Sequence, residues 1–194
     1  MGKTALAQLL GEQLHSSVVL DVDPNPFVDA GNPKRGAFQS RIFQLLTRHQ
    51  RRDALQQTDL FAQGGVVSDY LFACDRLLAQ CTLSRDELLL YDKVGGLLGR
   101  ELPRPDLVVY LTARPEVLLQ RLKRRGTAVP PREHLDRLVT AYAEFFFHYS
   151  DSPLLGINTS EIDFVEHRPQ LDDLVAVIQK TKAGAQHYSP LGSP

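Results

Sequence analysis

The sequence predicts an α/β protein built around a parallel sheet that helices cover on both faces. Short apolar runs alternate along the chain with longer segments whose apolar residues recur at helical spacing. Strands that alternate with helices in this order favour parallel pairing. The length of 194 residues, with 43% hydrophobic and 23% charged residues, fits a single globular domain.

The predicted strands are short apolar runs next to turn residues or carboxylates. The first apolar run ends at Asp21, and a later strand that begins with glycine ends at Asp69. Pro105 and Asp106 lead into the clearest apolar run of the chain. The strands are predicted over residues 18–20, 64–68, 107–111 and 154–158.

The predicted helices follow from apolar spacing, capping residues and helix breakers. Ser84 and Glu87 have the spacing of a capping box, which indicates that a helix begins there. Residues 127–131 contain two prolines and separate two helices, and the tail after Ala183 is expected to be mobile. The helices are predicted over residues 4–14, 37–50, 71–80, 84–98, 116–125, 133–149 and 171–180.

The composition excludes several classes of function. Lys plus Arg number 22 and Asp plus Glu 23, and this balance argues against broad, unspecific nucleic-acid binding. The sequence has no run of 18 apolar residues that would span a membrane, and its start does not have the pattern of a signal peptide. Cys74 and Cys81 are too few for a disulfide framework and indicate a reducing cytoplasm.

The chain opens on Gly2, Lys3 and Thr4, directly before a predicted helix. This tripeptide matches the end of a P-loop, where the lysine contacts the outer phosphates, the hydroxyl binds Mg²⁺ and the helix N-terminus favours an anion. A complete P-loop also needs an upstream strand and an earlier glycine. The alternative is an initiator methionine followed by an ordinary helix start.

Two carboxylates, Asp21 and Asp69, directly follow predicted strands. Ligands of parallel α/β sheets bind at the carboxyl ends of strands, so both positions are candidates for a site. A carboxylate at such a strand end commonly holds Mg²⁺ beside a P-loop. The alternative for Asp69 is a helix N-cap.

Two groups of arginines lie on predicted helix faces. Arg121, Arg124 and Arg125 share one face, and three guanidinium groups there suit a polyphosphate anion, although a solvated basic face is the alternative. Arg41 and Arg48 lie seven residues apart on another helix, where Asp75 could join them. The alternative for that group is an ion pair at the surface, worth under about 1 kcal/mol.

The order of these segments resembles the deoxynucleoside kinase family, and most closely its bacterial deoxyadenosine and deoxyguanosine kinase branch. The matching segments are, in order, G-K-T, L-L-T-R, V-V-S-D-Y-L-F-x-x-D, P-D-L-V-V-Y-L, R-L-x-x-R-G and Y-x-x-F-F-x-x-Y-x-x-S-P-L-L. The resemblance implies a P-loop kinase-type three-layer sandwich over residues 1–182, followed by a flexible tail over residues 183–194. It also implies a cytoplasmic homodimer that transfers the γ-phosphoryl group of ATP to the 5′-hydroxyl of a deoxynucleoside, here a purine one.

The resemblance assigns roles to the candidate residues. Gly2, Lys3 and Thr4 would contact the ATP phosphates and Mg²⁺, and Asp69 would take the acidic place after the third strand of the family. Arg48 and Asp75 would line the nucleoside pocket. The lid that clamps the ATP phosphates would contain the arginines already named, Arg121, Arg124 and Arg125.

Several positions depart from the family pattern. Asp21 or Asp23 stands where the family has a glutamate that acts as the base, and Arg41 stands where a glutamine reads the nucleobase. Arginine only donates hydrogen bonds, whereas glutamine both donates and accepts. Thr127 follows the lid glycine in place of arginine, and Cys74 replaces a lysine that bacterial relatives often have.

These observations support two hypotheses and one expectation about the chain start. The protein is an active deoxynucleoside kinase with an altered pocket, or a degenerate relative that binds nucleotides without turnover. In the resembling family a central strand precedes the P-loop, so we expect the natural start upstream of Met1 and the first strand to be missing here.

Overall fold

A computed structural model describes residues 2–21, 25–27, 36–59, 65–98, 104–126, 129–162 and 168–188. The chain divides into two compact units. The continuous unit comprises Leu14–Pro103, and the discontinuous unit comprises Met1–Gln13 together with Arg104–Pro194. Each unit contains parallel strands and helices and is described by itself.

The described residues form strands and helices in alternation, as the sequence predicted. The helices are α1 (Lys3–Leu14), α2 (Ala37–Asp59), α3 (Asp75–Thr82), α4 (Arg85–Leu97), α5 (Pro115–Arg124), α6 (Arg132–Phe147) and α7 (Arg168–Lys180). The strands are β1 (Ser17–Val19), β2 (Val66–Ser68), β3 (Val108–Thr112), β4 (Leu154–Asn158) and β5 (Ala185–Tyr188). A short 3₁₀ helix, Phe72–Cys74, precedes α3.

Every strand pairing among the described residues is parallel, which confirms the predicted fold class. In the continuous unit β1 pairs with β2, and Ser17 lies opposite Val66. In the discontinuous unit the strand order is β3–β4–β5. Parallel strands in register align their carboxyl ends, so residues that follow β1 and β2 meet at one edge.

The core of the discontinuous unit is built on β4, whose residues Leu154, Leu155 and Ile157 are buried. Such burial on both strand faces is expected for a parallel strand between helices. Leu171 and Leu174 of α7 are fully buried three residues apart, and on α6 the ring of Phe146 stacks on Tyr110 of β3 with centroids 4.1 Å apart. The predicted strand over residues 154–158 is therefore confirmed.

Helix starts follow local sequence signals. Ser84 caps α4: its side chain accepts from the Glu87 backbone N–H, and the Glu87 carboxylate accepts from the Ser84 backbone N–H. Pro115 occupies the first turn of α5, where its missing N–H costs no helical hydrogen bond. The predicted capping box is thus confirmed.

Two elements differ from the sequence prediction. Helix α2 extends to Asp59, well beyond the predicted end at Gln50, because residues 51–59 have high helix propensity although their apolar periodicity is lost. We expected a mobile tail after Ala183, but residues 185–188 form β5 beside β4. Three of its four residues are exposed, so β5 has no apolar run that the sequence could reveal.

Among the described residues, no helix has both the length and the apolar character that a membrane crossing requires.

Candidate active site

The carboxylates that follow β1 and β2, Asp21 and Asp69, lie together at one edge of this sheet. The Asp21 backbone N–H donates to Asp69 Oδ1 at 2.8 Å, and the Asp69 backbone N–H donates to the Val19 carbonyl at 3.4 Å. Asp69 is only 9% exposed. The alternative of a helix N-cap at Asp69 is wrong, because the cap residue of the next helix is Leu71.

Arg48 of α2 joins this edge to α3 through two ion pairs. Its Nε donates to Asp21 Oδ1 at 3.1 Å, Nη2 contacts the second oxygen of Asp21, and Nη1 contacts Asp75 Oδ1. Arg48 is 6% exposed and Asp75 7%. The predicted association of Arg48 with Asp75 is confirmed, and the alternative of a surface ion pair is wrong because both groups are buried.

Asp75 retains unused hydrogen-bonding capacity. Both of its carboxylate oxygens are buried; Oδ1 contacts Arg48 Nη1, whereas Oδ2 has no hydrogen-bond donor among the described residues. Buried carboxylate oxygens normally accept hydrogen bonds, so such a group in a site requires a donor. A substrate amino or imino group would be such a donor.

The ring of Tyr70 packs against the guanidinium group of Arg48. The sequence pattern did not predict this contact. The guanidinium carbon of Arg48 lies 5.0 Å from the centroid of the Tyr70 ring, within the range of a cation–π contact. Burial raises the pKa of Tyr70, and the positive charges of Arg48 and Arg51 partly oppose this effect. Its position directly after Asp69 is the one signal that could have identified it.

Arg41 lies on the same helix as Arg48, and its Nη1 donates to Gln44 Oε1 at 2.9 Å. Tyr91 of α4 is 4% exposed, and burial raises its pKa. The positive charges of Arg41 and Arg48 both oppose that shift. The predicted common face of the two arginines is confirmed.

The Asn25 segment is fixed to the start of α2. Its side-chain Nδ2 donates to Ser40 Oγ at 2.8 Å and to the Ser40 carbonyl at 3.2 Å. The rings of Phe27 and Phe43 meet edge to face, with centroids 5.8 Å apart. Asp23, the other candidate for the base, lies outside the described residues.

Lys3 and Thr4 lie in the first turn of α1 in the discontinuous unit, and Gly2 directly precedes this helix. Gly2 has a φ of +83°, and its carbonyl accepts the N–H of Leu6 at 2.9 Å. The Lys3 side chain is exposed. First-turn N–H groups have no partner within the helix, so this turn can bind a phosphate oxygen.

The three arginines of the predicted lid, Arg121, Arg124 and Arg125, differ in their side-chain contacts. Arg121 of α5 donates from Nη1 to Thr159 Oγ1 at 2.9 Å, and from Nη2 to the carbonyls of Thr159 at 2.6 Å and Ile162 at 3.3 Å. The side chains of Arg124 and Arg125 are exposed and bond to no other described residue. The predicted single cluster of three arginines is therefore divided into one anchored and two open side chains.

Parallel strands that alternate with helices, and a Gly-Lys-Thr sequence at a helix start, define an α/β protein of the P-loop kinase type. The chain belongs to the deoxynucleoside kinase family, because the model of that family, "Deoxynucleoside kinase", matches residues 1–182.

Named relatives agree with this membership. The chain is 26% identical to deoxyguanosine kinase of Bacillus subtilis over 92% of its own length and 91% of the relative. It is 32% identical to deoxyadenosine kinase of Dictyostelium discoideum, over 88% of its length and 73% of the relative. Deoxyadenosine kinase of M. mycoides with bound dCTP has a similar fold, with a TM-score of 0.74 at 18% identity over 92% of this chain and 94% of that one.

Proposed function

We propose that this protein is a deoxynucleoside kinase that transfers the γ-phosphoryl group of ATP to the 5′-hydroxyl of a purine deoxynucleoside. The observation that carries the proposal is the ion-paired cluster of Asp21, Arg48 and Asp75, in which Arg48 and Asp75 are buried, in a chain of the deoxynucleoside kinase family. The family membership favours this hypothesis over the degenerate, non-catalytic alternative.

Phosphoryl transfer requires positioning and charge neutralisation more than a protein nucleophile. On the ATP side, the first turn of α1 would bind the phosphates, with Lys3 as a mobile cation. Arg124 and Arg125 are open cations at the end of α5 and would neutralise further phosphate charge.

Mg²⁺ is the cofactor we propose beside ATP. The Thr4 hydroxyl and the Asp69 carboxylate are oxygen donors of the kind that Mg²⁺ prefers, and Mg²⁺ commonly uses one or two protein oxygens together with phosphate oxygens. When bound, the ion neutralises charge on the transferring phosphates.

On the nucleoside side, Asp21 and Asp69 stand together at the strand edge, and either carboxylate can accept the proton of the 5′-hydroxyl. Arg48 holds both oxygens of Asp21, which fixes that carboxylate in one orientation. Asp75 would accept from the nucleobase, and Arg41 would donate to a purine acceptor. A purine offers both types of group.

The test is ATP-dependent phosphorylation of the four deoxynucleosides, with Lys3→Ala as the control. We expect turnover of at least one purine deoxynucleoside and a loss of about 100-fold or more in the control, because a phosphate contact is removed. Asp21→Asn and Asp69→Asn should each lower kcat, because both carboxylates stand at the proposed site of transfer. Equal rates for the chain and its Lys3→Ala variant would refute the proposal.

The proposal also covers the oligomeric state and the subcellular location of the protein. We infer a homodimer, which is supported by exposed leucines on α4: Leu89 is 57%, Leu90 49% and Leu97 88% exposed. We also propose that the enzyme works in the cytoplasm, returning deoxynucleosides to the nucleotide pool. The sequence has only two cysteines, Cys74 and Cys81, which are too few for a disulfide framework and support a reducing environment.

A further inference from the structure

We propose that Arg121 is a positioning residue that fixes the end of α5, so that Arg124 and Arg125 make the phosphate contacts of the lid. The proposal rests on the proposed kinase function. It differs from the role that the family resemblance assigns to Arg121, which is a direct contact with the ATP phosphates.

Arg121 already has three hydrogen-bond acceptors in the structure. Its two terminal nitrogens donate to one hydroxyl and two carbonyl oxygens of the loop after β4, at 2.6–3.3 Å. A guanidinium group presents its donors in a fixed plane, so three directed acceptors hold the side chain in one orientation. Redirecting Arg121 to a phosphate would break these contacts and leave part-buried acceptors without donors.

Thr159, which accepts from Arg121, is itself held in place by the sheet. Thr159 is only 2% exposed, and it is bound to the end of β3 by two hydrogen bonds. Its backbone N–H donates to the Thr112 carbonyl at 2.7 Å, and its Oγ1 donates to the same carbonyl at 2.9 Å. Arg121 therefore connects α5 to a fixed point at the carboxyl end of the sheet, the edge at which α/β proteins bind ligands.

The two exposed arginines, Arg124 and Arg125, lie close to Arg121 on the same helix. Arg124 and Arg125 follow Arg121 by three and four residues, so they lie one turn further on the same face. Arg125 is the C-cap residue, and Gly126 follows with a φ of +65°. The last turn of a helix frays unless it is held, and the Arg121 side chain holds this turn to the loop after β4. Its hydrogen bonds therefore determine where the two open cations stand.

The experiment measures the Kd of Mg-ATP by calorimetry and the steady-state KM and kcat, on the full chain. Arg121→Lys keeps the charge but loses the planar fork, and we expect Kd and KM for ATP to rise about tenfold with kcat within about twofold. Thr159→Val removes the hydroxyl and should raise Kd in the same direction, and Thr159→Ser should restore it. These Thr159 variants also decide the matter if Arg121→Lys does not fold.

A double-mutant cycle tests the action through Arg125. Arg125→Ala should raise Kd less in the Arg121→Lys background than in the unmodified chain, because Arg125 is already displaced there. Unchanged ATP affinity in Arg121→Lys combined with a large loss of kcat in Arg121→Met would show a direct charge contact and overturn the proposal. Unchanged affinity in Thr159→Val would also overturn it. If the chain binds Mg-ATP without turnover, the kinase proposal fails, but the Kd values still decide the role of Arg121.

Discussion

Arg48 is the side chain that holds the candidate nucleoside site together. Replacing it by methionine keeps the length of the side chain but leaves Asp21 and Asp75 without their counterion. Asp75 is 7% exposed, and removing one partner of a buried ion pair costs about 3–5 kcal/mol. We therefore expect Arg48→Met to lower the free energy of unfolding by about 3 kcal/mol or more, as measured by urea denaturation.

A matched control is the pair of Arg76 and Asp92, which has the same two residue types and two hydrogen bonds of 2.9 Å. The side chains are 56% and 36% exposed, so water solvates either group once its partner is gone. Arg76→Met should cost no more than about 1 kcal/mol. Similar losses in both variants would show that burial does not strengthen the Arg48 ion pairs.

Contacts that follow from helix spacing could be predicted from the sequence. Contacts that depend on how distant elements pack could not. The association of Arg48 with Asp75 followed from helix periodicity and the neighbouring segment. The bond between Arg48 and Asp21 spans 27 residues and depends on where α2 lies beside β1. The same holds for Arg121 and Thr159, which are separated by 38 residues, and this separation explains why the spacing suggested a phosphate contact.

The capping box of α4 is a contact within a single element, so it can be tested by itself. Ser84→Ala removes the side-chain acceptor for the Glu87 backbone N–H, and we expect a loss of about 1 kcal/mol in the free energy of unfolding. Glu87→Gln is the matched control, because glutamine can also accept the Ser84 N–H. A loss in Ser84→Ala no larger than in Glu87→Gln would contradict the cap.

The cap also has a defined pH dependence. The hydrogen bonds from Ser84 hold the pKa of Glu87 below its ordinary value, with the backbone N–H as the larger cause. A carboxyl whose pKa is lower in the folded state stabilises the fold above its unfolded pKa, and this contribution is lost as the pH falls through the folded pKa. The difference between Ser84→Ala and the unmodified chain should therefore be smaller at pH 3 than at pH 7.

Gly36 precedes α2 in a conformation that other residues rarely adopt. Its φ is +78°, and a Cβ there would lie 2.6 Å from the Phe27 carbonyl oxygen. Gly36→Ala should therefore cost about 1–2 kcal/mol in thermal or urea unfolding. Gly96, within α4, meets no atom within 4 Å, and Gly96→Ala should instead stabilise by about 0.5–1 kcal/mol. A neutral Gly36→Ala would show that this turn can rearrange.

The strands and helices that the sequence predicted correctly have local sequence signals. The strand over residues 154–158 has an apolar run that is buried on both faces, and α4 has a complete capping box. The strand β5 has neither signal, because it lies at the edge of its sheet and buries only Tyr188. Its partner β4 determines that it is a strand, and the sequence of β5 does not contain that information.

At the scale of the whole molecule, alternation of strands and helices was sufficient to predict parallel pairing and the fold class. The order of short motifs along the chain was sufficient to predict the family, which the match over residues 1–182 confirms. The predicted single sheet corresponds to two sheets among the described residues, β1–β2 and β3–β4–β5. Sheet order depends on long-range pairing, so residue periodicity cannot specify it.

The exposed leucines of α4 are suited to a homodimer interface. Leu90 and Leu97 lie seven residues apart on one face of α4 and are 49% and 88% exposed. Burying a leucine side chain is worth about 1.5–3 kcal/mol, so a second copy that covers this face would gain from both. We expect the unmodified chain to sediment at twice its mass of 21.7 kDa, and Leu97→Lys to shift the equilibrium to monomer.

The control for this prediction is Phe147→Lys, which places the same charge on an 85% exposed apolar residue at the end of α6. This variant should remain dimeric if the α4 face forms the interface. The melting temperature of the unmodified chain should also rise with protein concentration, because dimerisation stabilises the folded state by mass action. This dependence should vanish in Leu97→Lys. A monomeric unmodified chain, or a Leu97→Lys variant that remains dimeric, would exclude an interface built on this face of α4.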